Sequence, residues 1–198
     1  MSPPSINEAR VPVLSDDELR RLLKACQGNT FDDRRDLALL RLFVDTPVRL
    51  GEAAGIRVDD VDLDDTETIV VTGKGSRAST VPLNPKLLVA LDNYLRARRK
   101  HPRAAEPWFR LGVRGRLTDS GIAQAMERRA QEAGVKGLHV HRFRHTFSHR
   151  WLAAGNSEAD LQRLAGWRSA QMLQRYGASA ADERARDAYR RAALWEER

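Results

Sequence analysis

At 198 residues, 41% of them hydrophobic, the chain is long enough to bury one core of its own, as one domain or one domain with a short appendage. A single cysteine, no apolar run of membrane-spanning length and a polar N-terminus (MSPPSINEAR) argue against an internal disulfide, a cysteine-based zinc cluster, a membrane partner and a signal peptide, so a cytoplasmic protein is expected. The net charge of +7 is uneven: residues 1–95 carry 12 basic and 16 acidic side chains, whereas residues 96–175 carry 17 and 6, a local excess that points to a polyanion such as nucleic acid.

Residues 1–12 read as a flexible linker. Ser15-Asp16-Asp17-Glu18 is a capping box, and the helix it opens places Leu19, Leu22, Leu23 and Cys26 on one apolar stripe. Cys26 is therefore core filler and not a nucleophile. A second helix is predicted from about Asp32 to Asp45, stopped by Pro47, and a short one begins near Gly51. The acidic stretch from Asp59 to Glu67 lacks the glycine and terminal glutamate of a calcium loop and reads as a solvated turn. After it, TIVV and STVPL form an antiparallel hairpin whose connection, TGKGSRA, carries Lys74.

Leu87, Leu88, Leu91, Tyr94 and Leu95 mark an amphipathic helix over 85–100 that runs into the basic RARRKHPR, which includes Arg99 and Lys100. Another helix spans 118–133 and stops at Gly134. Val140, Phe143, Phe147 and Trp151 stripe a helix that ends near Gly155, with shorter helices over 158–164 and 170–175 and a tail helix over 181–195. The fold class is α+β, mainly α-helical, with one small antiparallel sheet.

Chemistry concentrates between Gly137 and Gly177. His141, Arg144 and His145 fall at i, i+3 and i+4 on one helical face, offset from the Phe143/Phe147 stripe, where a phosphate can be held while the helix stays anchored. The H-x-x-R spacing alone carries little weight in a chain so rich in arginine, and His139/Arg142 repeats it. The spacing of His141, His145 and His149 would suit a metal, but Arg142, Arg144 and Arg150 would repel one, so no metal and no other cofactor is expected.

The ordered set TPVRLGE (46–52), TGKG (72–75), HRFRHTF (141–147), LAGW (164–167) and a tyrosine at 176 resembles the catalytic domain of the tyrosine recombinases, the phage-integrase family. The resemblance runs from about Val13 to Tyr176. It implies that fold, with the hairpin lysine on the small sheet, a catalytic domain over 13–178 and a tail helix over 179–198.

Carried over by position, it implies a catalytic set of Arg49, Lys74, His141, Arg144, Trp167 and Tyr176. Glu52 and His145 would support that set, and Arg77, Arg99, Lys100, Arg142 and Arg168 are expected DNA contacts. Each residue type suits its role. A phenol whose ordinary pKa is about 10 needs neighbouring cations to become a nucleophile. Forked guanidiniums match phosphate oxygens, and a lysine can give a leaving oxygen its proton where arginine cannot. An imidazole assists proton transfer and an indole N–H donates to a phosphate oxygen.

Two departures from the family pattern stand out. Pro47 occupies a position where many members have glycine, so the backbone path to Arg49 is expected to differ. Trp167 replaces the usual histidine, which keeps a donor but removes an acid/base group.

The implied activity is site-specific recombination of double-stranded DNA through a 3′-phosphotyrosyl intermediate. The implied assembly is a homotetramer on paired sites, with a monomer in the absence of DNA, nucleoid-associated in a bacterial host. Type IB topoisomerase action and a catalytically silent DNA-binding regulator are the alternatives, and mobile-element integration stands ahead of chromosome-dimer resolution as the setting. The family's N-terminal core-binding domain has no room ahead of Val13, so a catalytic fragment or a minimal form is expected, with the tail helix docking either in cis or in trans.

Overall fold

The structure is a computed structural model that describes residues 12–73, 75, 77–112, 115–167, 185–186 and 189–190. The expected helix over 170–175 and the positions of Lys74, Arg168 and Tyr176 lie outside the described residues. Of the expected tail helix, Ala185, Arg186, Tyr189 and Arg190 are described, and they are helical and exposed.

Helix α1 (Asp16–Ala25) starts at the expected capping box: Ser15 Oγ accepts the Glu18 N–H at 3.1 Å, and Glu18 Oε2 accepts the Ser15 N–H at 2.8 Å. Losing such a cap costs about 1 kcal/mol. Leu19 and Leu22 face the core, followed by Cys26, which is fully buried and whose thiol burial pushes up to about 12. Cys26 therefore stays protonated and shielded at neutral pH. Iodoacetamide is expected to leave it unmodified in the native protein and to alkylate it fully in urea, as read by mass. Rapid native alkylation would mean that α1 opens from the core.

Helix α2 (Phe31–Asp45) has a second capping box, Thr30 with Asp33, and buries Ala38, Leu39, Leu42 and Phe43. It ends at Thr46, whose hydroxyl donates to the Leu42 carbonyl at 2.5 Å just before Pro47. Helix α3 (Leu50–Gly55) follows. Strands β1 (Val61–Asp62), β2 (Thr68–Gly73) and β3 (Arg77–Pro82) form an antiparallel sheet in that order. Sequence reading missed β1, because two residues inside an acidic turn carry no alternation.

The Asp62 carboxylate accepts the N–H groups of Asp64, Asp65 and Thr66. These bonds hold it at about 2, led by that to Asp65, and make the acidic stretch a turn. Ile69 and Val71 on β2 enter the core, whereas β3 is an edge strand exposed from Arg77 to Thr80.

Helix α4 (Pro85–Arg98), capped by Asn84, packs along α2 in the opposite direction. Phe31 meets Tyr94 with ring centres 5.6 Å apart, and Asn84 lines the same groove as Asp45 at the other end. A two-stranded hairpin of β4 (Leu111–Gly112) and β5 (Gly115–Arg116) leads into α5 (Asp119–Glu132), α6 (Val140–Ala153) and α7 (Glu158–Leu164). No helix among the described residues is long and apolar enough to cross a membrane.

The apolar stripe of α6 is divided between two cores. Phe143 stacks on Phe43 in the main core at 6.0 Å, while Phe147 and Trp151 pack against a smaller cluster of Leu152, Leu161, Ala165 and Trp167. α6 thus joins the body of the domain to the segment that follows α7.

A buried ionic network locks α2 to α5. Asp36 is wholly buried and accepts from Arg35 (Nη2, 2.7 Å) and Arg129 (Nε, 2.9 Å), and Arg129 also donates to Asp33 at 2.7 Å and to the Ala25 carbonyl at the end of α1. Burial pulls the Arg129 guanidinium down, but its bonds to Asp36 and Asp33 outweigh that and raise it.

Candidate active site

Three chain segments remote in sequence converge at the C-terminal end of α2. The first, Thr46–Arg49, is extended: Thr46 has φ −139° and ψ 159°, and Arg49 has φ −83° and ψ 155°. Among the described residues the one non-glycine with positive φ is Glu67, so the path to Arg49 accepts Pro47 without strain. Arg49 precedes α3, and Glu52 one turn on holds it twice: Oε2 accepts the Arg49 N–H at 2.7 Å and Oε1 accepts its Nη1 at 2.7 Å. Glu52 is buried while the Arg49 side chain is 44% exposed, so the guanidinium is tethered on one side and open on the other.

The second segment is the first turn of α6. His141 is exposed at its surface, and its ring meets that of His145 edge to face at 4.8 Å. Arg144 is 3% exposed, and its guanidinium donates to the Pro47 carbonyl and, at 2.6 Å, to the Ala165 carbonyl. Arg144 therefore ties the approach to Arg49 to the third segment, Ala165–Trp167.

There the chain turns at Gly166 (φ +61°), where a Cβ would lie 3.9 Å from Arg49 Nη1. The Trp167 ring centre lies 5.3 Å from Arg144 Cζ, within reach of a cation–π contact. An open cleft of about 440 Å³ is lined by Arg49, His139, His141 and Arg144, with Ala123 and Glu127 of α5 on its far wall. Nothing in the sequence spacing marks Glu127 as a wall of this cleft.

The structure thus brings together Arg49, Glu52, His141, Arg144, His145 and Trp167. The hairpin of β2 and β3 also packs here, β2 against α3 and β3 against α7. Arg77 is exposed at its turn end, opposite Gly73.

Other expected DNA contacts fall elsewhere. Arg99 and Lys100 are exposed at the Phe31 end of α2, the end away from Arg49, and a helix of 15 residues puts roughly 20 Å between the two. Arg142 is a correction: it is 8% exposed, its guanidinium donates to the carbonyls of Pro12 (3.0 Å), Lys136 (3.1 Å) and Gly137 (3.3 Å), and it pairs with Glu18. It points into the body of the domain and fastens the N-terminal segment to α6, so it is not placed to meet DNA.

The sequence profile of the phage integrase family matches residues 12–183. The chain belongs to the phage integrase family.

Among curated members of the family, it is 33% identical over 186 residues to the tyrosine recombinase XerD of Mycobacterium leprae, covering 88% of this chain and 58% of that protein. It is 30% identical over 191 residues to XerC of Corynebacterium efficiens, covering 96% and 61%. The chain therefore spans about six-tenths of the length of these relatives. Among solved structures, that of the XerA recombinase superposes with a TM-score of 0.76 at 28% identity, over 87% of this chain and 63% of that one. XerH bound to its palindromic difH substrate superposes at 0.73 and 22% identity, over 93% and 53%, which extends the likeness in fold to a substrate-bound neighbour.

Proposed function

We propose that this chain carries the strand-cleaving domain of a site-specific DNA recombinase. The observation that supports this most is the cleft in which Arg49, His141 and Arg144 converge, with Trp167 against Arg144.

In this reading the Tyr176 oxygen attacks the scissile phosphorus, the bond from phosphorus to the 5′-oxygen breaks, and a 3′-phosphotyrosyl linkage forms. Lys74 gives its proton to the departing 5′-oxygen, and the 5′-hydroxyl of a partner strand later reverses the step. One phosphodiester is exchanged for another, so the chemistry is close to isoenergetic and calls for neither ATP nor a metal.

Arg49 and Arg144 hold the non-bridging oxygens and offset the charge that builds up in the transition state. His141 assists proton transfer, the Trp167 indole donates to an oxygen, Glu52 aims Arg49, and His145 packs on His141. The recombinases among the relatives support strand exchange as the reaction, and the family resemblance implies four copies assembled on two paired duplexes. Integration of a mobile element remains our first choice of setting, ahead of dimer resolution.

The decisive experiment traps protein on a nicked duplex whose cleaved end diffuses away. The wild type is expected to accumulate a covalent adduct that maps to Tyr176, and Tyr176→Phe to give none. An undiminished adduct in that variant would remove Tyr176 as the nucleophile. Supercoil relaxation with no strand exchange on any paired site would instead favour the topoisomerase reading.

Duplex affinity is expected to fall steeply with salt, with a slope in log–log form of about −0.9 per phosphate neutralised. A flat salt titration by fluorescence anisotropy would rule out the phosphate-contact reading.

A further inference from the structure

Gly73 is the last residue of β2 and pairs with Arg77 of β3, and Gly75 lies in the turn between the two strands. In sequence it passes for a turn glycine. The backbone says otherwise: the residue with the left-handed conformation is Gly75, at φ +82°, while Gly73 lies in the paired strand without positive φ. Conformation therefore does not require a glycine at 73.

Contact does. A Cβ built on Gly73 would come within 3.2 Å of Glu52 Oε1, tighter than a carbon normally approaches a carboxylate oxygen, so the carboxylate would have to give way. That same oxygen accepts from Arg49 Nη1 at 2.7 Å, and the other oxygen of Glu52 holds the Arg49 backbone. Glu52 is buried among these contacts and has little room to retreat.

We propose that Gly73 is a positioning residue, bare so that the hairpin strand can lie against Glu52 and hold its carboxylate in line with Arg49. It acts through Glu52 and touches no substrate. This rests on the reading of Arg49 as a phosphate-binding group. The physical link is short: a displacement of Glu52 passes directly to the guanidinium, and misplacement of a group that must meet a phosphate oxygen costs rate steeply.

The test compares single-turnover adduct formation by the wild type and Gly73→Ala on a nicked duplex with an ordinary scissile phosphodiester, and on one whose scissile linkage is an uncharged methylphosphonate. On the phosphodiester the variant is expected to be slower by about 3-fold to 10-fold. On the methylphosphonate, which lacks the charge that Arg49 neutralises, the two should react alike. In a Glu52→Ala background, which removes the oxygen that the new methyl would meet, Gly73→Ala should add no further slowing.

A normal rate on the phosphodiester, equal slowing on both linkages, or full additivity with Glu52→Ala would each overturn the proposal. Arg49→Ala separates this from the underlying reading: if that variant cleaves the phosphodiester normally, the role of Arg49 fails, whereas slow Arg49→Ala with normal Gly73→Ala sinks only the inference about Gly73.

Discussion

Arg144→Ala is expected to slow adduct formation on a nicked duplex by about 10²–10³-fold, the usual cost of removing one preorganised donor from a developing oxyanion. The loss has a second component. Arg144 is buried and donates to the carbonyls of both Pro47 and Ala165, so its removal also releases the segment bearing Trp167 from the segment bearing Arg49. Leaving a buried acceptor without its donor costs about 1–3 kcal/mol.

Arg144→Lys distinguishes charge from geometry: an ammonium keeps the charge but lacks the planar fork that spans the two carbonyls and a phosphate together. Its rate should therefore stay close to that of the alanine variant. The measurement is the single-turnover yield of covalent product, with melting curves to establish that each variant is folded. A rate within threefold of wild type for Arg144→Lys would show that charge alone suffices.

The largest stability effect is expected at Asp36. Alanine there removes the wholly buried carboxylate to which Arg35 (4% exposed), Arg129 (8% exposed) and Arg128 all donate. Breaking a buried pair from one side costs about 3–5 kcal/mol. For a chain of this length that lowers Tm by on the order of 10 °C, measured by circular dichroism. Asp36→Asn keeps an acceptor for one guanidinium and should lie between the two. A drop in Tm no larger than that of a surface substitution would mean that water or the neighbouring Asp33 takes over the role of Asp36.

Much of this was legible beforehand. The capping box at Ser15, the stop at Pro47 and the β-branched run of β2 have local causes, and the helices and hairpin follow from them. The convergence of Arg49, His141, Arg144 and Trp167 was anticipated by the order of the motifs, not by any one of them.

The arginines were harder to read. Arg98, Arg110, Arg129 and Arg142 all lie in the basic part of the chain and all are buried, three of them tied to backbone carbonyls of loops that sequence cannot place. A guanidinium that staples a loop looks the same in sequence as one that meets a phosphate. What separates them is the three-dimensional position of carbonyl groups, which no spacing rule encodes.

The fastening of the N-terminal segment has a consequence for how the domain is made. The Leu14 N–H donates to Thr146 Oγ1 at 2.8 Å, across 132 residues, and Arg142 reaches the Pro12 carbonyl across 130. During synthesis α1 and α2 leave the ribosome long before their partners on α6 exist, and contacts that distant close late. α2 can pack on α4 early, but the faces of α1 and α2 that meet α5 and α6 stay uncovered until those helices have emerged. The cleft, which depends on α6, is completed only after release of that last stretch, so a half-made protein cannot assemble it.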